Sequence, residues 1–209
     1  MVRAVFLDAL GTLLELEPPW VHLARELDGM PEEQVREAFL AEMAYYREHH
    51  TEAADERSLA DLRARCADVL SFALDREVDV ETMMAAIRFR PYDETAETLA
   101  ELRSRGLYLH VVSNWDCSLP LVLEQAQLRD LLDGVTVSAV EGTAKPDPAI
   151  FAAPLTAAGC SPDEALHVGD SEEDTQGADA AGIASVRIDR RGREGAIATL
   201  HELVPHVSA

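Results

Sequence analysis

The stretch VRAVFLDALGT, residues 2–12, decides how the rest of the chain reads. Residues 2–7 form a short apolar run of the kind a buried strand shows. Asp8 stands at its end, and Gly11 and Thr12 break the pattern directly after it. The following ELEPP, Glu15 to Pro19, reads as a stiff linker.

Beyond the linker the period changes. From about residue 20 to 89 the apolar spacing is helical. Val35, Ala38, Phe39, Met43 and Tyr46 make one stripe after Pro31, a residue suited to a helix start. Leu59, Leu62, Cys66, Val69, Leu70 and Ala73 make a second. Shorter helices are predicted at about 19–28 and 79–89, and no strand is predicted in this block.

After Pro91 helices and strands alternate. Helices are predicted at about 93–105 (ended by Gly106), 117–128, 146–158, 174–181 and 194–204. Strands are predicted at 107–112, 135–138, 165–168 and 184–188. The alternation implies an α/β fold, a Rossmann-like parallel sheet with helices on both faces. Residues 1–15 and 91–209 form this core, and residues 16–90 form an inserted all-helical cap. Parallel sheets of this kind bind ligands at the carboxyl ends of their strands. The insertion interrupts the first crossover, so it emerges above that edge as a lid.

Composition narrows the function. The 209 residues carry a net charge of −21, so nucleic acid and anionic membrane surfaces are not expected partners. No apolar run approaches the roughly 20 residues of a membrane span. The run in residues 1–16 is cut by Asp8 and Gly11, so it is not read as a targeting segment. Cys66, Cys117 and Cys160 show no metal-type spacing, which fits reduced thiols in the cytoplasm. Among 17 arginines there is one lysine, Lys145. That flags a position where a compact ammonium serves and a planar guanidinium does not.

The predicted strand ends gather a consistent chemistry. Strand one delivers Asp8; the 107–112 strand delivers Ser113 and Asn114. Lys145 precedes the 146–158 helix, and Gly169, Asp170, Glu172, Glu173 and Asp174 follow the 165–168 strand. Singly, each is an ordinary turn or cap residue. Together, the crowded carboxylates repel and require a cation. Oxygen ligands favour a hard ion such as Mg2+. A metal, a lysine and a hydroxyl around one carboxylate describe a phosphoryl-transfer site, with that carboxylate as nucleophile. His110 and His167 read as packed or hydrogen-bonded supports, Trp115 and Cys117 as rim packing, and Trp20 as a core contact.

These residues resemble the four motifs of the haloacid dehalogenase superfamily. The first, D-x-D-x-T, reads Asp8-Ala9-Leu10-Gly11-Thr12; the second is HVVSN with Ser113. The third is Lys145-Pro146, and the fourth is Gly169-Asp170-Ser171-Glu172-Glu173-Asp174. All four stand in family order, and the 20–89 block matches the helical cap of one branch. The resemblance implies a Mg2+-dependent phosphatase of small phosphorylated substrates in which Asp8 becomes an aspartyl phosphate. It implies Mg2+ held by Asp8, the carbonyl of Leu10 and Asp170, with Asp174 in support and Glu173 less directly so. Ser113 and Lys145, helped by Asn114, are then the holders of the phosphoryl oxygens.

One residue departs from the pattern. The second Asp of the first motif, the family's general acid, is Leu10. General acid–base help is worth about 10²–10⁴-fold. A phosphatase favouring good leaving groups is the first reading. A 2-haloacid dehalogenase needs no acid, and Arg25 or Arg36 offers a substrate carboxylate a partner. Dehalogenases of the family, however, are metal-free, carry uncharged residues where Asp170 stands and typically an aromatic one at the Leu10 position. A weakly catalytic, phosphate-binding interaction protein is the third reading. A Schiff-base mechanism is disfavoured because residues 16–90 hold no lysine.

Overall fold

The computed structural model describes residues 1–207. Its strands are β1 (Ala4–Leu7), β2 (Leu14–Leu16), β3 (Phe89–Pro91), β4 (Tyr108–Ser113), β5 (Gly134–Val137), β6 (Ala165–Gly169) and β7 (Ala184–Arg187). Its α-helices are α1 (Pro19–Glu26), α2 (Glu32–His49), α3 (Glu56–Leu74), α4 (Val80–Ala86), α5 (Thr95–Ser104), α6 (Leu119–Gln125), α7 (Ser138–Glu141), α8 (Ala152–Ala158) and α9 (Glu172–Ala180).

Five strands form one parallel sheet in the order β5-β4-β1-β6-β7. β1 is central, and all four of its side chains are buried. Successive strand residues face opposite ways. Val5 and Leu7 therefore join a cluster with Leu99, Leu119 and Leu203, while Ala4 and Phe6 join Ile150, Phe151 and Ala178 on the other face. This two-sided burial is why β1 reads as an unbroken apolar run.

Helices α1 to α4 bury a separate core around Leu23, Phe39, Leu62, Leu70 and Met83. Local chemistry fixes their ends. Asp55 accepts from Ser58 N at 2.8 Å to start α3, and Asp79 accepts from Thr82 N at 2.7 Å to start α4. Such caps are typically worth about 1 kcal/mol each.

Three expectations need correction. The ELEPP segment is not all linker. Leu14–Leu16 pairs antiparallel with Phe89–Pro91, placing a two-stranded ribbon where the helical block enters and leaves. The limits at 15/16 and 90/91 fall inside this ribbon. The predicted 146–158 helix splits into a 3-10 turn at Pro148–Phe151, opened by Asp147, followed by α8. The final segment is 3-10 over Leu200–Val207 rather than a helix from 194. Gly192 and Gly195 take positive φ just before it, and Pro205 withholds an N–H within it.

Candidate active site

The β1 ladder continues into Asp8, whose N–H donates to Val168 O at 2.8 Å. This seats a carboxyl at the carboxyl edge of the central strand, where it is buried. Asp8 Oδ1 accepts from Ser113 Oγ at 2.9 Å and from Lys145 Nζ at 2.7 Å. The same ammonium donates to Asp174 Oδ1 at 2.5 Å and to Val112 O at 2.9 Å. All three ammonium protons are thus used, on acceptors from three segments. A rigid guanidinium fork has no such arrangement, which explains lysine here in an arginine-rich chain.

Asn114 plays a different part from the one expected. Its Nδ2 donates to Lys145 O at 2.9 Å and its Oδ1 accepts from Lys145 N at 2.8 Å. It clamps the lysine's backbone rather than offering its amide to a phosphoryl group. Nδ2 also lies 3.2 Å from Glu173 Oε2, which turns Glu173 toward Asn114.

Asp174 is equally constrained. Ser171 opens α9, and its N–H and hydroxyl donate to Asp174 Oδ2 at 3.0 and 2.6 Å. His167 Nε2 lies 2.9 Å from Oδ1. His167 is therefore the hydrogen-bonded support the sequence suggested, and His110 meets Thr136 Oγ1 at 2.8 Å in the same manner. Burial pushes the Asp174 carboxyl up, but the His167 hydrogen bond and the Lys145 charge hold it below the usual carboxylate range. At Asp8 burial dominates: the carboxyl is raised, with Lys145 opposing and Asp174 and Asp170 reinforcing.

Asp170 completes the edge. Gly11 stands at φ +84°, and a Cβ built there would lie 2.3 Å from Asp170 Oδ2. The turn after Asp8 thus needs glycine both for its backbone and for the carboxylate packed over it. Carboxylate oxygens of Asp8, Asp170 and Asp174 lie within 4.8 Å of one another. Three carboxylates against one ammonium leave two negative charges uncompensated when all are ionised. A hard divalent cation fits both the charge and the oxygen donors.

Arg190 supports this edge, although nothing in its local sequence marks it. Its guanidinium donates to Gly11 O and Thr12 O, pairs with Glu94 and lies 3.7 Å over the Tyr92 ring. It braces the turn carrying Leu10 and Gly11.

A cavity of about 1180 Å³ opens above Asp8. Leu10, Ser113 and Asp170 contribute to one side, and Phe39, Glu42 and Leu62 of the helical block to the other. Tyr46 Oη donates to Asp116 Oδ2 at 2.8 Å and His50 Nε2 meets Ser138 Oγ at 3.1 Å, joining block and sheet. Trp115 lines the cavity and packs on Phe89. Trp20 and Cys117 pack against the core of the helical block. Arg25 and Arg36 do not line the cavity, and Arg36 pairs with Glu33. Leu10 brings no acid, as its side chain dictates.

Residues 2–182 match the model of the haloacid dehalogenase-like hydrolases. The chain belongs to this family. This hydrolase is 30% identical over 203 residues to (S)-2-haloacid dehalogenase 4A of Burkholderia cepacia, spanning 91% of this chain and 84% of that one. It is 39% identical over 105 residues to a phosphoserine phosphatase of Thermus thermophilus, covering 49% of this chain and 42% of that one. The shared region is thus under half the length of that phosphatase. A HAD phosphatase from Thermococcus onnurineus superposes with a TM-score of 0.70 at 28% identity, covering 99% of this chain and 98% of that one. Among the described residues of this hydrolase, no helix is long and apolar enough to cross a membrane.

Proposed function

We propose that this hydrolase is a Mg2+-dependent phosphatase of small phosphate esters that works through an aspartyl phosphate on Asp8. The observation that carries the reading is the Asp8–Asp170–Asp174 trio with Lys145 wedged between two of its members. The phosphatase relative and the phosphatase structure support it.

Asp8, Asp170 and the Leu10 carbonyl would hold the cation, with Asp174 behind them. The ion supplies positive charge that offsets repulsion between Asp8 and the incoming phosphoryl oxygens. Ser113 and Lys145 fix the Asp8 carboxylate through these hydrogen bonds and would turn donors from it to the phosphoryl oxygens as the ester binds. An Asp8 oxygen forms the bond to phosphorus, the bond to the leaving oxygen breaks, and that oxygen carries away the electron pair. Water then hydrolyses the acyl phosphate and restores Asp8. The helices of residues 16–90 act as the cap that closes over the ester. Asn114 acts through Lys145.

Leu10 shapes the substrate range. With no acid at that position to protonate the leaving oxygen, aryl and acyl phosphates are favoured over alkyl esters. The dehalogenase relative does not shift this reading, because halide displacement calls for no metal site of this kind. Three free cysteines support a reducing, cytoplasmic setting.

The test is hydrolysis of p-nitrophenyl phosphate and an alkyl phosphate, each with Mg2+ and with EDTA, beside 2-chloropropionate. Mg2+-dependent phosphate release favouring the aryl ester is expected. Halide release unaffected by EDTA would replace this reading with a dehalogenase.

A further inference from the structure

Helix α2 carries an apolar stripe at Val35, Ala38 and Phe39, and the next position of that stripe is Glu42. A leucine there would extend the core. The other acids of α2, Glu32, Glu33, Glu37 and Glu48, are exposed, whereas Glu42 is only 4% exposed. It lines the cavity above Asp8, as do Phe39, Leu62 and Met83.

Buried acids are ordinarily paired, because an isolated carboxylate in apolar surroundings is costly. Glu42 makes no ion pair among the described residues. The Cys66 thiol on α3 hydrogen-bonds it, and burial pushes its carboxyl up to about 6. Glu42 is thus an anionic group without an ion-pair partner among the described residues, and it lines the same cavity as Asp8. Sequences break a local rule of this sort at functional positions.

We propose that Glu42 is a specificity-determining residue that binds a protonated amine on the leaving group, so that among alkyl phosphate monoesters the aminoalkyl ones are preferred. This rests on the phosphatase reading. The phosphoryl end sits at Asp8, Ser113 and Lys145, and the leaving group extends into the cap. A charge-assisted hydrogen bond to an ammonium gives the buried carboxylate the partner it lacks. A hydroxyl-bearing leaving group gains a weaker, neutral hydrogen bond.

The experiment compares kcat/KM for O-phosphoethanolamine, 2-hydroxyethyl phosphate and propyl phosphate in the wild-type enzyme and in Glu42→Gln, with p-nitrophenyl phosphate alongside. Glu42→Gln keeps the shape and removes the charge; Glu42→Leu, which suits the stripe, is the second variant should the first melt early. The wild type should prefer the amine over the propyl ester by about 10-fold or more, and both variants should bring that ratio close to one. A wild-type ratio near one while p-nitrophenyl phosphate is turned over would overturn the role of Glu42 and leave the phosphatase reading standing. An amine preference that survives in both variants would do the same. No turnover of any ester, p-nitrophenyl phosphate included, would overturn both.

Discussion

Lys145 and Asp8 form a buried ion pair, with Nζ 2.7 Å from Oδ1, and the lysine spends its remaining donors on Asp174 and the Val112 carbonyl. The lysine therefore ties three strand ends into one site. Removing one partner of a buried pair typically costs about 3–5 kcal/mol, because the other is left uncompensated. Lys145→Met should lose stability on that order, read by urea unfolding, and should abolish turnover. Lys145→Arg is the sharper test. It keeps the charge but not the shape, and kcat should fall by at least about 10-fold. Wild-type rates from Lys145→Arg would mean that the single lysine has no special geometry.

Cation binding should register as stability even without substrate. The carboxylate trio is repulsive alone, and an ion that binds only the folded state stabilises by mass action, by about 2.7 kcal/mol at 100 times Kd. Thermal melts should rise with Mg2+ and return with EDTA. Asp170→Asn should raise the melting temperature of the metal-free protein slightly and cancel the Mg2+ response. An unchanged Mg2+ response in Asp170→Asn would place the ion elsewhere.

Gly11→Ala should be costly for two reasons. The φ of +84° disfavours any side chain, by about 1–2 kcal/mol, and the new Cβ would meet the Asp170 carboxylate. Loss of Mg2+ affinity should accompany a stability loss of about 1–3 kcal/mol. Measuring both by melts with and without Mg2+ separates the turn from the metal site. A mutant with normal Mg2+ affinity would show that Asp170 is free to move.

Acid should weaken the fold through His110. Burial is the main cause that holds its imidazole at about 4, below the ordinary 6.5, with Arg129 adding to it. The neutral form is thus favoured in the folded state, so stability is present above pH 6.5 and is lost as pH falls toward about 4. At about 1.4 kcal/mol per pH unit this amounts to about 3 kcal/mol. Glu42 acts in the opposite sense. Its carboxyl is raised from 4.5 to about 6, so its contribution is full below 4.5 and lost as pH rises through 6. Unfolding free energies across this range should slope less steeply in His110→Gln than in the wild type. Parallel curves would remove His110 as the cause.

How much of this was legible in the sequence follows from which interactions are local. Asp8, Ser113, Lys145, Asp170 and Asp174 could be named because each stands at or just past a strand end or near the start of a helix, and a parallel sheet brings such ends to one edge. The β2–β3 ribbon was not legible. Its strands are three residues each, too short to show a period, and they pair across the whole helical insertion. Glu42 looked like any other acid on a charged helix, because its burial depends on packing against α3, which meets Glu42 through Cys66, rather than on its sequence neighbours. Arg190 reaches a turn some 180 residues away in the chain, a contact with no local signal. Asn114 follows its strand as the sequence predicts, but its contacts depend on the peptide of Lys145, 31 residues on.

The most direct test of the central claim is to quench the enzyme in acid during turnover of p-nitrophenyl phosphate and map phosphate onto its peptides by mass spectrometry. Phosphate should appear on the peptide bearing Asp8, and should vanish, together with turnover, in Asp8→Asn. Turnover at the wild-type rate by Asp8→Asn, or phosphate carried on another residue, would contradict the account.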